Sequence, residues 1–135
     1  MKRIEVVAAI ICFGSEILCV QRPESKLIYI SNKFEFPGGK IEDGESKKEA
    51  LKRELIEELD MTPKIDKSFL TVVHSYPDFE LTMHSFICLA DSKDLQLKEH
   101  ISAHWLTKED LHQLDWASAD IPIVSKLIKN EQVNN

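Results

Sequence analysis

Apolar residues fall into short runs along the chain, and these runs predict several β-strands. Two of them, residues 4–13 and 16–21, flank Gly14-Ser15, and this arrangement predicts a β-hairpin. Phe34-Glu35-Phe36 predicts a short strand that Pro37 ends, because proline cannot donate a backbone hydrogen bond to a sheet. Further runs predict strands over residues 69–74, 80–90 and 103–106, with Tyr76-Pro77-Asp78 as a turn.

The middle of the chain has the periodicity of an amphipathic helix. Ser46 and Glu49 form a capping-box pair, in which each side chain accepts a hydrogen bond from the other residue's backbone, so we expect the helix to begin there. At about 100° per residue, Leu51, Leu55 and Leu59 form one apolar stripe. We expect this stripe to pack on the sheet.

Two shorter helices are predicted near the end of the chain. Thr107 with Asp110 starts the first, and Pro122 lies in the first turn of the second. Strands with interspersed helices indicate an α/β or α+β layered domain with a mixed sheet. Because no linker or shift in composition divides the chain, residues 1–130 are predicted to form one domain, followed by a polar tail over residues 131–135.

The composition limits the classes of protein to which the chain can belong. With 135 residues, 43% of them hydrophobic, it can form one compact domain with a core. A net charge of −6 argues against binding to a nucleic-acid polymer, because such binding relies on clustered Lys and Arg. Residues 6–13 lack a small-residue cleavage site, and no run approaches the ~20 apolar residues of a membrane span, so we expect neither a signal peptide nor a membrane segment.

The three cysteines and five histidines do not predict a metal site. Cys12, Cys19 and Cys88 occur singly within apolar runs, which indicates reduced, buried thiols in the cytoplasm instead of disulfides or a zinc site. The histidines follow no ligand spacing, and His74 and His84 are predicted to be sheet residues.

The predicted helix carries a cluster of carboxylates beside its apolar stripe. Glu54, Glu57 and Glu58 share an arc roughly 100° wide, and Ala50 on the same arc leaves room beside them. Their charges repel each other unless a cation lies between them, and hard oxygen ligands suit Mg²⁺ or Mn²⁺. Taken alone, however, a Glu-rich helix with neighbouring Lys and Arg is usually a solvated face.

A longer pattern that includes the loop before the helix favours the metal site. Gly39 and Glu45, at fixed distances ahead of the helical glutamates, complete a pattern that resembles the Nudix box, and residues 36–42 resemble the MutT-like branch. The chain departs from the family at Asp60, where glycine normally ends the helix in a left-handed conformation that Asp tolerates better than most residues. The matching residues are Gly39, Glu45, Arg53, Glu54, Leu55, Glu57, Glu58 and Met61.

This resemblance implies a Nudix-like α/β/α sandwich with a mixed sheet and a defined set of catalytic residues. Arg53 would hold the neighbouring carboxylates in place, and Glu45 would either lie near the water network of the metal or orient Arg53. Glu99 best matches the carboxylate that MutT-like members supply from a later loop, although it can equally be a solvated loop side chain. The implied ligands of Mg²⁺, or alternatively of Mn²⁺, are Gly39 through its carbonyl, Glu54, Glu57, Glu58 and Glu99.

The resemblance also implies a reaction, the hydrolysis of a nucleoside triphosphate to the monophosphate and pyrophosphate. Water would attack an internal phosphorus, with Glu54 either as the general base or as a ligand that positions the water. Alternatives are another Nudix activity, on ADP-ribose or dinucleoside polyphosphates, and a catalytically silent nucleotide-binding module, against which the intact glutamates argue. We expect a small-molecule nucleotide as the substrate, with no nucleic-acid polymer and no membrane as partner. The protein is expected to be a monomer or a homodimer.

Substrate selection is expected to depend on residues outside the box. Arg22 and Lys40 are candidate nucleotide contacts, although Arg22 can equally be a surface residue. Tyr76 either stacks on a base or packs beside Pro77. Asp120 either caps the last helix or, as an ionised carboxylate, accepts hydrogen bonds from cytosine or an oxidised guanine. Its segment resembles the CTP-hydrolysing type more than the 8-oxo-dGTP type, so CTP, dCTP and oxidised nucleotides are the predicted substrates.

Overall fold

A computed structural model describes residues 2–129, so the predicted polar tail, residues 131–135, lies outside the described residues. Two short 3-10 helices, Lys108–Gln113 and Ser118–Asp120, precede the last α-helix. The strands and α-helices are β1 (Lys2–Phe13), β2 (Glu16–Gln21), β3 (Phe34–Glu35), β4 (Gly38–Lys40), α1 (Lys47–Leu59), β5 (Lys64–Ser75), β6 (Phe79–Leu89), β7 (Ser102–Thr107) and α2 (Ile121–Lys129).

The seven strands form one mixed sheet with β1 at its centre. The order is β3-β2-β1-β6-β5, with β4 pairing with β1 and β7 with β2. β1 and β6 are parallel, whereas the other pairs are antiparallel, including the predicted β1–β2 hairpin. The mixed sheet predicted from the sequence is therefore confirmed.

Two cores lie on opposite faces of the sheet, because successive side chains of a strand point in opposite directions. On β1, Val7 and Ala9 belong to the core that includes α1, whereas Ala8 and Ile10 belong to the core that includes α2. The predicted apolar stripe of α1 is fully buried in the first core. The result is a three-layer α/β/α sandwich with one helix on each face.

Both ends of α1 are fixed by local hydrogen bonds. The Ser46 hydroxyl accepts a hydrogen bond from the Glu49 N–H at 3.1 Å, and the Glu49 carboxylate accepts one from the Ser46 N–H at 2.8 Å, so the predicted capping box is confirmed. At the other end Asp60 is left-handed, with φ 55° and ψ 41°, and its N–H donates to the Ile56 carbonyl. The departure at Asp60 therefore preserves the expected helix end.

The strand β4 is not predicted by the hydrophobic pattern, because Gly38 and Gly39 have no side chains to contribute to it. Backbone pairing forms it instead, with Gly38 opposite Ala8 and Gly39 opposite Val7. A Cβ atom on Gly38 would lie 1.9 Å from the Val7 carbonyl oxygen, so only glycine permits this approach. The pairing holds the loop before α1 against the centre of the sheet.

Three local predictions need correction. The strand predicted from residue 69 begins at Lys64, because an edge strand pairs through its backbone even where half-exposed side chains show no alternation. Thr107 precedes a 3-10 helix but makes no capping hydrogen bond with its side chain. Cys12 is only half-buried, whereas Cys19 and Cys88 are buried as predicted, and all three are free thiols.

A search of the described part of the chain for a membrane-spanning segment gave a negative result. Within residues 2–129, no helix is both long enough and apolar enough to cross a bilayer.

Candidate active site

The outer arc of α1 places three glutamates at the edge of the central sheet. Glu58 is buried, Glu54 is largely covered and Glu57 is half-exposed. The Glu54 carboxylate lies directly against Gly39, since a Cβ atom built there would lie 2.4–2.5 Å from its carboxylate atoms. Glycine at position 39 therefore gives this carboxylate room beside the β4 backbone.

The electrostatics of these carboxylates favour a bound cation. Burial, followed by the charges of Glu54, Glu35 and Glu99, raises the pKa of Glu58 to about 9. Burial is also the largest cause of the raised pKa of Glu54, and the charge of Glu57 adds to it. Several carboxylates thus converge where positive charge is insufficient, and a divalent cation would relieve their repulsion.

The donor set fits a hard metal ion, although it is not a closed cage. Within the described residues 2–129, no group of three or more His, Cys, Asp or Glu side chains is arranged so that it could hold a metal ion. Mg²⁺ does not require one, because it keeps several waters and takes further ligands from substrate phosphates. Carboxylate oxygens around the glycine-lined edge of the sheet would provide the protein part of such a site.

Arg53 holds the carboxylate network together from the side of the loop. Its Nε and Nη2 donate to the two oxygens of Glu45 at 2.7 and 2.9 Å, and Nη1 donates to Glu54 at 3.0 Å and to Glu57 at 3.3 Å. Nη2 also donates to the Lys40 carbonyl at 3.0 Å. The hydrogen bonds from Arg53 lower the pKa of Glu45 to about 2. Glu45 therefore contacts Arg53 directly, as one of its two predicted roles requires.

The segment that contains Glu99 is fastened to the end of α1. The Gln96 N–H donates to the Leu59 carbonyl at 2.9 Å, and the Lys98 N–H donates to the Glu58 carbonyl at 3.1 Å. The charge of Glu99 contributes to the raised pKa of Glu58. The loop glutamate predicted from the sequence thus lies near the helical carboxylates.

A cavity of about 260 Å³ adjoins this cluster and shares Gly38 and Gly39 with it. All four candidate substrate residues line the cavity, which is otherwise largely apolar. These four residues are Arg22, Lys40, Tyr76 and Asp120. A bound molecule can therefore contact both the glycine-lined edge of the carboxylate cluster and the residues predicted to select the base.

Asp120 is buried beside the cavity and does not act as a simple helix cap. Its Oδ1 accepts a hydrogen bond from the Phe36 N–H at 3.0 Å. Burial above all, and then the charge of Glu35, raises its pKa well above the ordinary range of an aspartate. An ionised Asp120 carboxylate was expected from the sequence, and this expectation needs correction. Burial favours the neutral form, which can both donate and accept hydrogen bonds.

The other three cavity residues have distinct environments. Tyr76 is buried and stacks on Tyr29, with ring centroids 5.0 Å apart, and its hydroxyl accepts a hydrogen bond from the Ala119 N–H at 3.0 Å. Arg22 is partly exposed, and its Nη1 lies 3.3 Å from Glu35. Lys40 is exposed at the rim, where its carbonyl bonds to Arg53.

Two polar residues of the site, Glu35 and His100, were not predicted from the sequence. Glu35 lines the cavity, and His100 is buried with its Nε2 2.9 Å from the Glu35 carboxylate. A signal existed for Glu35, since a charged residue lies between Phe34 and Phe36 directly before Pro37-Gly38-Gly39. For His100 the only signal was its position next to Glu99.

Comparison with known proteins places this geometry in context. The family model described as NUDIX domain matches residues 6–126. The CTP pyrophosphohydrolase of Escherichia coli (strain K12) is 36% identical over 124 residues, which cover 92% of this chain and 90% of that protein. The 8-oxo-dGTP diphosphatase of the same strain is 30% identical over 127 residues, with 94% and 98% covered. The MutT protein from Methanosarcina mazei Go1 shares the fold, with a TM-score of 0.84 at 24% identity over 95% of this chain and 94% of that one.

Proposed function

Because this chain belongs to the Nudix hydrolase family, we propose that it is a Mg²⁺-dependent nucleoside triphosphate pyrophosphohydrolase. The proposed substrates are CTP and dCTP or oxidised nucleotides such as 8-oxo-dGTP. The relatives at 36% and 30% identity are named for CTP and for 8-oxo-dGTP, respectively. The observation that carries the proposal is the cavity lined by Asp120, whose wall includes Gly38 and Gly39, the glycines that contact Glu58 and Glu54.

The proposed metal ligands are Glu54, Glu57 and Glu58, together with the Gly39 carbonyl and Glu99. The mutual repulsion that contributes to the raised pKa of Glu58, and the close contact between Glu54 and Gly39, support this assignment. When bound, Mg²⁺ would neutralise phosphate oxygens and acidify the attacking water.

Glu54 is the proposed proton acceptor, or else the residue that positions the attacking water. Burial raises the pKa of its carboxyl, and a carboxylate with a raised pKa accepts a proton more readily near neutral pH. The hydrogen bond from Arg53 holds it in one orientation. In the reaction, water would attack an internal phosphorus, its proton would pass to Glu54, and the chain of phosphates would divide into the nucleoside monophosphate and pyrophosphate.

Arg53 and Glu45 are proposed to orient the carboxylates without touching the substrate. Glu45 engages both Nε and Nη2 of the guanidinium, which leaves Nη1 to face Glu54 and Glu57. Such a two-point contact fixes the plane of the arginine as well as its position. Loss of Glu45 would therefore loosen Glu54 and Glu57 indirectly.

Asp120 is the proposed base-reading residue. One of its oxygens accepts the Phe36 N–H, and in the neutral form the carboxyl group also has a hydrogen to donate. An acceptor beside a donor matches the paired amino group and ring nitrogen of cytosine, and it also matches the N1–H and carbonyl of an oxidised guanine. This duality supports both predicted substrate types.

Arg22, Lys40 and Tyr76 are proposed to complete nucleotide binding. Lys40 is exposed at the rim of the cavity, next in sequence to Gly39, where it suits a phosphate. The buried ring of Tyr76 forms part of the apolar wall. The Arg22 guanidinium beside Glu35 is directed to the same cavity.

Product analysis tests this function. The protein is incubated with CTP, dCTP, 8-oxo-dGTP, ADP-ribose and a dinucleoside polyphosphate, with Mg²⁺ or with a chelator, and the products are separated by anion-exchange chromatography. We expect the monophosphate and pyrophosphate from CTP or 8-oxo-dGTP only when Mg²⁺ is present. Release of orthophosphate with a nucleoside diphosphate, cleavage of ADP-ribose alone, or binding without cleavage would each contradict the proposal.

A further inference from the structure

A buried histidine lies outside the carboxylate cluster but contacts the wall of the cavity. His100 is located between β6 and β7, and its Nε2 lies 2.9 Å from Glu35 Oε2. Because a carboxylate only accepts hydrogen bonds, Nε2 carries the hydrogen and donates it. The imidazole therefore fixes one oxygen of Glu35.

Arg22 contacts both oxygens of the same carboxylate. Its Nη1 lies 3.3 Å from Glu35 Oε1 and 3.5 Å from Oε2. Within residues 2–129, neither Nε of Arg22 nor Nδ1 of His100 has a hydrogen-bond partner, although both atoms are buried. Burying unpaired polar atoms costs free energy, so these two side chains occupy positions that stability alone does not favour.

Glu35 lies close both to Glu58 in the carboxylate cluster and to Asp120 beside the cavity. It lines the cavity, and its negative charge contributes to the raised pKa of both Glu58 and Asp120. Since β3 pairs with β2, the Glu35 backbone is fixed in the sheet. The orientation of its carboxylate then depends on His100 and Arg22.

The backbone that carries His100 is itself well anchored. On one side the Lys98 N–H donates to the carbonyl of Glu58, and on the other the Ile101 N–H donates to the carbonyl of Gln21 at 2.9 Å. The Ser102 hydroxyl adds a hydrogen bond to the Gln21 side chain at 2.8 Å. A side chain on so short and constrained a segment is suited to positioning a neighbour.

We propose that His100 is a positioning residue that orients the Glu35 carboxylate to accept a hydrogen bond from a hydroxyl or amino group of the bound nucleotide. This inference rests on the proposed function. It predicts an effect on nucleotide binding, because Glu35 lines the cavity and is not one of the proposed metal ligands.

Variants of His100 that differ in their reach test the proposal. His100→Leu removes the donor and retains an apolar side chain of moderate size, and we expect it to raise KM about tenfold while kcat changes less than about threefold. His100→Gln places an amide donor within reach of Glu35 and should recover most of the loss. His100→Asn carries the same amide group on a side chain that is too short to reach Glu35, so it should not recover the loss. Calorimetric titration with the monophosphate product should show the same order of affinities.

A matched control separates this effect from the general loss of a histidine. His84 also contacts a glutamate, with Nε2 2.6 Å from Glu5, but it does not line the cavity. His84→Leu should leave KM and kcat unchanged. If His100→Leu does not fold, as judged by circular dichroism, the proposal is tested by comparing KM for His100→Gln with KM for His100→Asn.

A double-mutant cycle with Glu35→Leu shows whether His100 acts through Glu35. We expect His100→Leu to raise KM about tenfold in the wild-type background and less than about twofold when Glu35 is already absent. An equal factor in both backgrounds, or equal recovery by Gln and Asn, would overturn this inference alone. Absence of turnover by the wild-type protein on every nucleotide would instead overturn the proposed function, and this inference with it.

Discussion

The two halves of the candidate site are built in different ways. The carboxylate half comes mostly from one helix, on which Glu54, Glu57 and Glu58 occupy neighbouring turns. The cavity half is assembled from separate segments, so that Asp120 lies beside Phe36. A short stretch of sequence thus supplies the proposed phosphate chemistry, whereas the proposed base selection depends on the tertiary structure.

The two halves also differ in the contacts that fix their side chains. The helical carboxylates are fixed by a capping box, a left-handed helix end and the Arg53 network, all of them close in sequence. In the cavity, Tyr76 depends on Tyr29 and on the backbone of Ala119. We therefore expect substitutions in the helix to change the rate for all nucleotides, and substitutions in the cavity to change which nucleotide is preferred.

The largest reduction in kcat is expected when the proposed metal ligands are substituted. Glu57→Gln and Glu58→Gln each remove a charge on which cation binding depends, and each should reduce kcat by roughly 10²–10³-fold or more while the fold persists. Steady-state kinetics with circular dichroism measure both properties. Glu109→Gln, an exposed glutamate outside the site, is the control. Near-normal turnover in both ligand variants would contradict the assignment.

Substitution of Asp120 is expected to change which nucleotide the protein prefers. In Asp120→Asn the NH2 group is always the donor and the oxygen is always the acceptor, whereas either oxygen of a neutral carboxyl group can carry the hydrogen. Relative values of kcat/KM for CTP, dCTP and 8-oxo-dGTP should change by about tenfold, the value of one lost hydrogen bond in a closed site. An unchanged ranking of the three nucleotides would reject Asp120 as the base reader.

The pH dependence of stability probes the carboxylate half without substrate. The folded-state pKa of Glu58, about 9, lies above its ordinary value, so the folded protein binds a proton that the unfolded chain releases. Stability of the metal-free protein should therefore fall as pH rises from about 5 towards 9, and Glu58→Gln should flatten this slope. Added Mg²⁺ should raise Tm most at high pH, where the carboxylates are ionised. Thermal unfolding across this range measures both effects, and a wild-type slope retained in Glu58→Gln would contradict them.

The smallest effect, a change in stability, is expected at Asp60, the one departure from the family pattern. Asp60 is left-handed and places a negative charge at the C-terminal end of α1. Asp60→Gly should stabilise the fold by about 1 kcal/mol, a gain of a few degrees in Tm, without changing kcat. Asp60→Ala, which strains the same conformation, should destabilise it. Equal Tm values for the two variants would show that the backbone conformation does not determine the effect.

Sequence patterns anticipated most of the fold and the carboxylate half, because periodicity and capping are local. Glu54, Glu57 and Glu58 share a helix face for geometric reasons that a sequence displays directly. The strand β4 was not anticipated, because backbone pairing of glycines leaves no pattern of side chains. The raised pKa of Asp120 could not be predicted from the sequence either, since its burial arises from packing between distant segments.

The most direct test compares specificity between the two halves. The ratio of kcat/KM for CTP to that for 8-oxo-dGTP is measured for the wild-type protein, Glu57→Gln and Asp120→Asn, as pyrophosphate released in the presence of Mg²⁺. We predict that Glu57→Gln retains the wild-type ratio within about twofold despite its low rate, whereas Asp120→Asn shifts it about tenfold. A shift in Glu57→Gln as large as that in Asp120→Asn would contradict the division of the site into a phosphate half and a base half.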